Sequence, residues 1–282
     1  MLQRIKNTLN FIRFSHTIFA LPFALVAMLV AARGLPSLSV VIWILVCLVS
    51  ARTAAMAFNR SVDWEIDKQN PRTENRHRLI QRRSAQLLVW FSILIFIFGT
   101  WQLNEFCLLL APLAIFLIFF YSLTKRFTSY SHFFLWLALA TAPMGAWAAV
   151  TASLWSWQPW ILATAVMLWV FGFDLIYATQ DTVFDQKTGL YSFPARYSNK
   201  TAFRLAQVLH VFAWLILGVF GGLCHFTWRY GLGWFLMGLA LFFEHRLART
   251  GDVKKVNLAF FQVNAIVSLV LLLSVIWELW KR

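Results

Sequence analysis

Charge is scarce in this chain. Only 13% of its 282 residues are Asp, Glu, Lys or Arg, about half the share of an ordinary soluble domain. Acid is scarcer still, with 11 Asp and Glu against 25 Lys and Arg. That balance excludes a water-soluble globular protein with a solvated charged surface. The three cysteines, Cys47, Cys107 and Cys224, are far apart and sit in or beside apolar blocks; with no CxxC pair, neither a disulfide framework nor a thiolate metal site is expected. The six histidines show no HExxH or similar ligand spacing, so they are read as local hydrogen-bonding groups. No Pro/Gly/Ser-rich linker or low-complexity tail divides the chain, and residues 1–282 read as a single domain.

What the sequence has in abundance is apolar length. Hydrophobic residues make up 60% of it, gathered in blocks close to the ~20 residues that a helix needs to cross a bilayer. The fold class is therefore an all-α polytopic membrane protein with about nine transmembrane helices. The spans are expected near 15–33, 37–58, 85–101, 106–121, 133–152, 158–179, 202–223, 228–244 and 258–278. The basic N-terminal stretch (Arg4, Lys6, Arg13) reads as the approach to the first span rather than a cleaved signal.

The net charge of +14 does not indicate nucleic acid, because the basic residues cluster in short loops between apolar blocks. With the N-terminus inside, 19 basic residues fall on the cytoplasmic side and 4 on the other. This imbalance predicts an inner-membrane protein with loops 59–84 and 180–201 in the cytoplasm.

Those two loops also hold the acid. Five of the six aspartates lie in two stretches: Asn59-x3-Asp63-x3-Asp67, ending the second span, and Asp174-x2-Tyr177-x3-Asp181-x3-Asp185, ending the sixth. On a helix each set shares one face, and stacked like charges there are unfavourable unless cations or a wet cavity receive them. Hard oxygen donors at this spacing suit Mg²⁺, which joins protein carboxylates to substrate phosphates. Arg72, Arg76, Lys125, Arg126 and Lys187 nearby offer cations for diphosphate oxygens. The same residues leave open an ion-coupled transporter or a structural membrane subunit.

These motifs, with Arg72-Thr73-Glu74-Asn75-Arg76 and the early segment His16-Thr-Ile-Phe-Ala-Leu-Pro-Phe23, resemble the UbiA superfamily of intramembrane aromatic prenyltransferases. The segment Phe173 to Tyr197 is most similar to bacterial quinone-pathway members. The resemblance implies a helical bundle around a central cavity open to lipid, with Mg²⁺ held by both Asp motifs. It further implies transfer of a polyprenyl group from its diphosphate to a 4-hydroxybenzoate-like aromatic hydroxy-acid in respiratory-quinone biosynthesis. Prenylation of a dihydroxynaphthoate in menaquinone biosynthesis is the alternative, and a haem or chlorophyll precursor is a more distant one. On this reading Asp63, Asp67, Asp181 and Asp185 hold metal and diphosphate, and Asn59, Arg72, Arg76, Lys125, Arg126, Asp174, Tyr177 and Lys187 bind substrate. The partners are the two substrates and the lipid bilayer.

Overall fold

The computed structural model describes residues 2–14, 17–124, 126–249 and 253–280, so His16 and Lys125 lie outside the described residues. A backbone in hydrocarbon has no water to bond, so long apolar stretches must close their own ladders as helices. The described residues form helices and turns, with no strand. In chain order the helices are α1 (Leu2–Phe11), α2 (Thr17–Ala32), α3 (Leu38–Val62), α4 (Trp64–Gln69), α5 (Arg82–Leu103), α6 (Glu105–Thr124) and α7 (Ser131–Thr151). They continue as α8 (Trp157–Ala178), α9 (Thr182–Thr188), α10 (Phe193–Tyr197), α11 (Asn199–Leu223), α12 (Trp228–Ala248), α13 (Val253–Leu258) and α14 (Asn264–Trp280). A 3₁₀ turn occupies Glu74–Arg78, and a π-helical turn, Ala259–Val263, joins α13 to α14.

Among the described residues, seven helices are long and apolar enough to cross a membrane: α3, α5, α6, α7, α8, α11 and the run ending in α14. The expected count of nine is not reached on that measure. The other two rods are α2, which is short, and α12, which carries Arg229, Glu244, His245 and Arg246. The expected short span 106–121 is a 20-residue helix, α6, that continues through Pro112.

The rods form a ring. α3 packs on α5 and α6, α6 on α7, α7 on α8, α8 on α11, α11 on α12, and α12 on α14; α2 closes the ring by touching α14, α7 and α8. Gly172 lets α8 and α11 approach, since a Cβ there would overlap the His210 ring. Outward faces such as Trp90, Phe91 and Leu94 of α5 and Leu109, Leu113 and Phe116 of α6 stay exposed, as a lipid-facing surface requires. The amphipathic α1 precedes the ring; its Phe11 is buried against Trp64 and the start of α5.

Candidate active site

The first Asp motif does not lie on one continuous helix, as its spacing predicts. α3 runs past the apolar block to Val62 and then breaks: Asp63 is at once its C-cap and the N-cap of α4. The i→i−4 bonds survive the break, from Asp63 N–H to the Asn59 carbonyl (2.9 Å) and from Asp67 N–H to the Asp63 carbonyl (2.8 Å). The side chains, however, part company. Asp63, only 2% exposed, accepts from Arg126 Nη2 (3.2 Å), whereas Asp67 accepts from Arg76 Nη1 through both oxygens (3.2 Å each).

The second motif breaks in the same manner. α8 ends at Ala178 and Asp181 caps α9. Gly189, with φ +69°, then closes α9, its N–H reaching the Asp185 carbonyl. A left-handed residue at this position turns the chain sharply, and glycine adopts it without a Cβ penalty. That turn returns Leu190, Tyr191 and Ser192 to the wall of a central cavity.

The two motifs meet across this cavity. Arg72 donates from Nε to Asp181 Oδ1 (2.8 Å), from Nη2 to Asp181 Oδ2, and from Nη1 to the Tyr177 hydroxyl (2.7 Å). Such a fork-to-carboxylate contact is stronger than a single charged hydrogen bond. Asn70 buttresses it: its Nδ2 donates to Asp181 Oδ1 (3.2 Å) while its Oδ1 accepts from the Arg72 backbone N–H (2.9 Å). Burial opposes the charge on both loop guanidinia. For Arg72 burial is the largest single influence, but the hydrogen bond to Asp181 and the attraction of Tyr177, Asp181 and Asp67 together exceed it, and the pKa is raised. For Arg76 burial prevails over the attraction of Asp67 and the pKa is lowered.

The cavity has a volume of about 460 Å³. Asn59, Arg72, Arg76, Asp174, Tyr177, Asp181 and Asp185 line one end of it, while Ile44, Cys47, Phe96, Leu103, Leu110, Ala111 and Ala142 line the remainder. Along α3 it extends from Asn59 to Ile44, about 22 Å at the rise of an α-helix. A charged mouth thus leads into a long apolar channel.

The expected site residues divide into two groups. Asn59, Arg72, Arg76, Asp174, Tyr177, Asp181 and Asp185 share the cavity wall. Asp63 and Asp67 lie outside that wall, Asp67 joined to it through Arg76, and Lys187 is exposed on α9. Arg126 is also off the wall; its Nη2 bonds the Val62 carbonyl (2.9 Å) and Asp63, clasping the end of α3 to the loop after α6.

Two residues of the site escape a reading by motif, one behind the wall and one on it. Asn70 is one, and its only sequence signal is an Asn-Pro turn pair. The other is Arg52, seven residues before Asn59 on the same face of α3, hence about 10 Å deeper. Its Nε is buried and meets no hydrogen-bond partner among the described residues. A lone arginine within a span was the available signal, because such a residue is costly in a membrane unless it serves a cavity.

The donor chemistry at the mouth fits a hard divalent cation: Asp174, Asp181 and Asp185 with Asn59 present oxygen ligands to one space. Among the described residues, no three carboxylate, imidazole or thiol groups already converge as a metal cage. Arginines instead neutralise Asp63, Asp67 and Asp181.

The described geometry has counterparts among known proteins. Residues 20–269 match the model of the UbiA prenyltransferase family. A curated 4-hydroxybenzoate octaprenyltransferase of Francisella tularensis subsp. novicida is 29% identical over 212 residues, covering 74% of each chain. One from Neisseria gonorrhoeae is 28% identical over 225 residues, covering 78% of this chain and 74% of its own. The apo structure of a UbiA homologue from Aeropyrum pernix K1 superposes with a TM-score of 0.84 at 30% identity, covering 93% of this chain and 98% of that one. A UbiA homologue from Archaeoglobus fulgidus, bound to GPP and Mg²⁺, shares the fold with a TM-score of 0.70 at 17% identity, covering 96% and 99%. The match across most of its length, joined to paired Asp motifs around a membrane cavity, shows that this chain belongs to the UbiA prenyltransferase family.

Proposed function

We propose that the protein transfers a polyprenyl group from its diphosphate to a 4-hydroxybenzoate-like aromatic hydroxy-acid, a step of respiratory-quinone biosynthesis. The observation that carries the acceptor assignment is Arg52. It stands inside the cavity between the charged mouth and the apolar channel, where a carboxylate would give its guanidinium two directional hydrogen bonds. A neutral acceptor would leave that buried cation unanswered. The curated relatives act on a hydroxybenzoate by name, and family membership displaces the ion-coupled transporter.

The diphosphate sits at the mouth, where Arg72 and Arg76 supply hydrogen bonds to its oxygens, and the prenyl tail runs into the channel. Mg²⁺ would be held by Asp181 and Asp185 with Asn59, and by Asp63 and Asp67 where their arginines yield; when bound it neutralises diphosphate oxygens. A UbiA homologue holding GPP and Mg²⁺ supports that choice of metal. As the allylic C–O bond breaks, the arginines meet the charge growing on the leaving group. The rings of Tyr177, Phe173 and Phe260 border the space where the allylic cation forms, and a π-face attracts a cation by about 0.5–2 kcal/mol. The apolar walls keep water from capturing that cation. The ring carbon beside the phenolic oxygen then forms the new C–C bond, and its proton leaves to restore aromaticity. The lysine- and arginine-rich loops favour the cytoplasmic side for this mouth.

The test is incubation of membranes containing the protein with Mg²⁺, allylic diphosphates of several lengths and candidate aromatic acids, followed by mass spectrometry. Prenylated 4-hydroxybenzoate is the expected product. A prenylated dihydroxynaphthoate in its place would move the enzyme to the menaquinone route, and no product from either acid would sink the reading.

A further inference from the structure

Four polar side chains are buried in the bundle away from the cavity wall: His210 on α11, Glu244 and His245 on α12, and Asn264 on α14. At membrane depth such groups are expensive, and they are kept where they do something. They form two bonded pairs that approach each other, His210 with His245 and Glu244 with Asn264. His210 Nε2 donates to the Trp169 carbonyl (3.0 Å), its Nδ1 accepts from His245 Nε2 (3.0 Å), and Glu244 Oε2 lies 3.5 Å from the same Nδ1. Glu244 Oε1 accepts from Asn264 Nδ2 (2.8 Å).

That same Nδ2 also donates to the Phe260 carbonyl (3.1 Å). Phe260 lies in the π-helical turn Ala259–Val263, after which the Asn264 backbone N–H bonds the Phe261 carbonyl instead of that of Phe260. The side-chain amide therefore takes the place that a regular helix would give to its backbone. Turns of this kind recur at functional sites because they re-aim a side chain. Here the side chain is the Phe260 ring, stacked on Tyr177 at 4.2 Å between centroids and edge-on to Phe173 at 5.4 Å. Tyr177 in turn receives Arg72 on its hydroxyl.

We propose that Glu244 and Asn264 are positioning residues for prenyl transfer, fixing the π-turn so that Phe260 holds Tyr177, and through it Arg72, at the cavity mouth. This rests on the reaction proposed above and adds to it residues that never touch substrate. Replacing the amide while keeping the volume, as in Asn264→Leu, removes its bonds to the Phe260 carbonyl and to Glu244. It is expected to raise the KM for the allylic diphosphate about tenfold, the size of coupling seen between residues in one bonded network, and to leave the acceptor KM unchanged. Glu244→Gln, which retains an acceptor oxygen for Asn264, is expected to stay near wild type.

The experiment uses the full chain in nanodiscs and reads both KM values, the thermal midpoint, and the affinity for inorganic pyrophosphate with Mg²⁺ by calorimetry. A selective loss for diphosphate and pyrophosphate in Asn264→Leu supports positioning, as does absence of any further loss when Asn264→Leu is added to Phe260→Leu. Equal rises in both KM values with a lowered midpoint, or additive losses in the double variant, would overturn it and leave the network a packing device. If Asn264→Leu does not fold, Asn264→Gln replaces it in the same titrations, because its longer side chain carries the amide past the Phe260 carbonyl. Wild-type pyrophosphate affinity in that variant would overturn the proposal equally. A wild-type chain that binds pyrophosphate yet prenylates no aromatic acid overturns the reaction alone, because pyrophosphate affinity still reads the coupling without turnover.

Discussion

Arg72 and Asp181, 109 residues apart in the chain, meet at the cavity mouth as a two-point contact, with Nε 2.8 Å from Oδ1 and Nη2 on Oδ2. The pair draws the loop after α4 onto the start of α9 and so unites the two Asp motifs. Arg72→Lys keeps the charge but loses the fork, and lysine cannot reproduce three bonds to Asp181 and Tyr177. It is expected to cost about 1.5–3 kcal/mol of diphosphate binding, roughly ten- to hundredfold in KM. Steady-state titration of the allylic diphosphate measures this, and a KM within twofold of wild type would remove Arg72 from the diphosphate site.

Arg52→Ala is expected to raise the acceptor KM by a similar factor, with the diphosphate KM little changed, because its guanidinium lies deeper than the charged mouth. Arg126→Ala is expected to act differently, since Arg126 clasps Asp63 and the Val62 carbonyl and does not line the cavity. Its effect should fall on the diphosphate side, through Asp63. Titrating both substrates in both variants tells the two arginines apart; an unchanged acceptor KM in Arg52→Ala, or equal wild-type activity on the decarboxylated phenol, would exclude a carboxylate at Arg52.

The aspartate spacing and the apolar blocks made the motifs and the helical class legible in the sequence. Asn59, Asp174, Tyr177, Asp181 and Asp185 do share one cavity. The breaks at Asp63 and Asp181 were not legible, because i, i+4 spacing reads the same through a continuous helix and through one that reseats on a cap residue. Arg52 was masked by the charge count, which treats an arginine within a span as neither inside nor outside. The contact between His210 and His245 spans 35 residues, and no periodicity reports which faces of α11 and α12 look at each other. The π-turn at Ala259–Val263 lies inside what reads as one apolar span.

The charge asymmetry argues for a cytoplasmic mouth. The structure brings loops 59–84 and 180–201 to one end of the bundle through Arg72, Asn70 and Asp181. Single cysteines introduced in each loop, after replacement of the buried Cys47, Cys107 and Cys224, are expected to react only with reagents admitted to the cytoplasmic side. Labelling of both loops from the opposite side would invert the topology, and labelling from different sides would contradict the shared site.

Gly172→Ala tests the packing of α8 on α11. The added Cβ would overlap the His210 ring, which Trp169 and His245 already hold in place. Overpacking of this kind costs about 1–3 kcal/mol. A lowered thermal midpoint in lipid is expected, with recovery when His210→Ala is added to make room. A midpoint equal to wild type would mean that the helices separate freely at this contact.

The last prediction concerns competition between arginine and metal. Asp67 and Asp181 are each paired to an arginine, Arg76 and Arg72, and a divalent cation must share or displace those partners. With no diphosphate present, Arg76→Ala should therefore bind Mn²⁺, used as a spectroscopic stand-in for Mg²⁺, several-fold more tightly than wild type. With diphosphate present the order should reverse. The phosphate oxygens then give Arg76 a new partner, release Asp67 to the metal, and make the arginine an ally of metal binding rather than a rival. Electron paramagnetic resonance titrations of Mn²⁺, with and without geranyl diphosphate, follow both halves of the cycle. Chelation of the metal should abolish turnover in wild type and variant alike. Tighter Mn²⁺ binding to Arg76→Ala under both conditions would mean that Arg76 does not transfer to the diphosphate, and the arginine would then be only a counter-ion to Asp67.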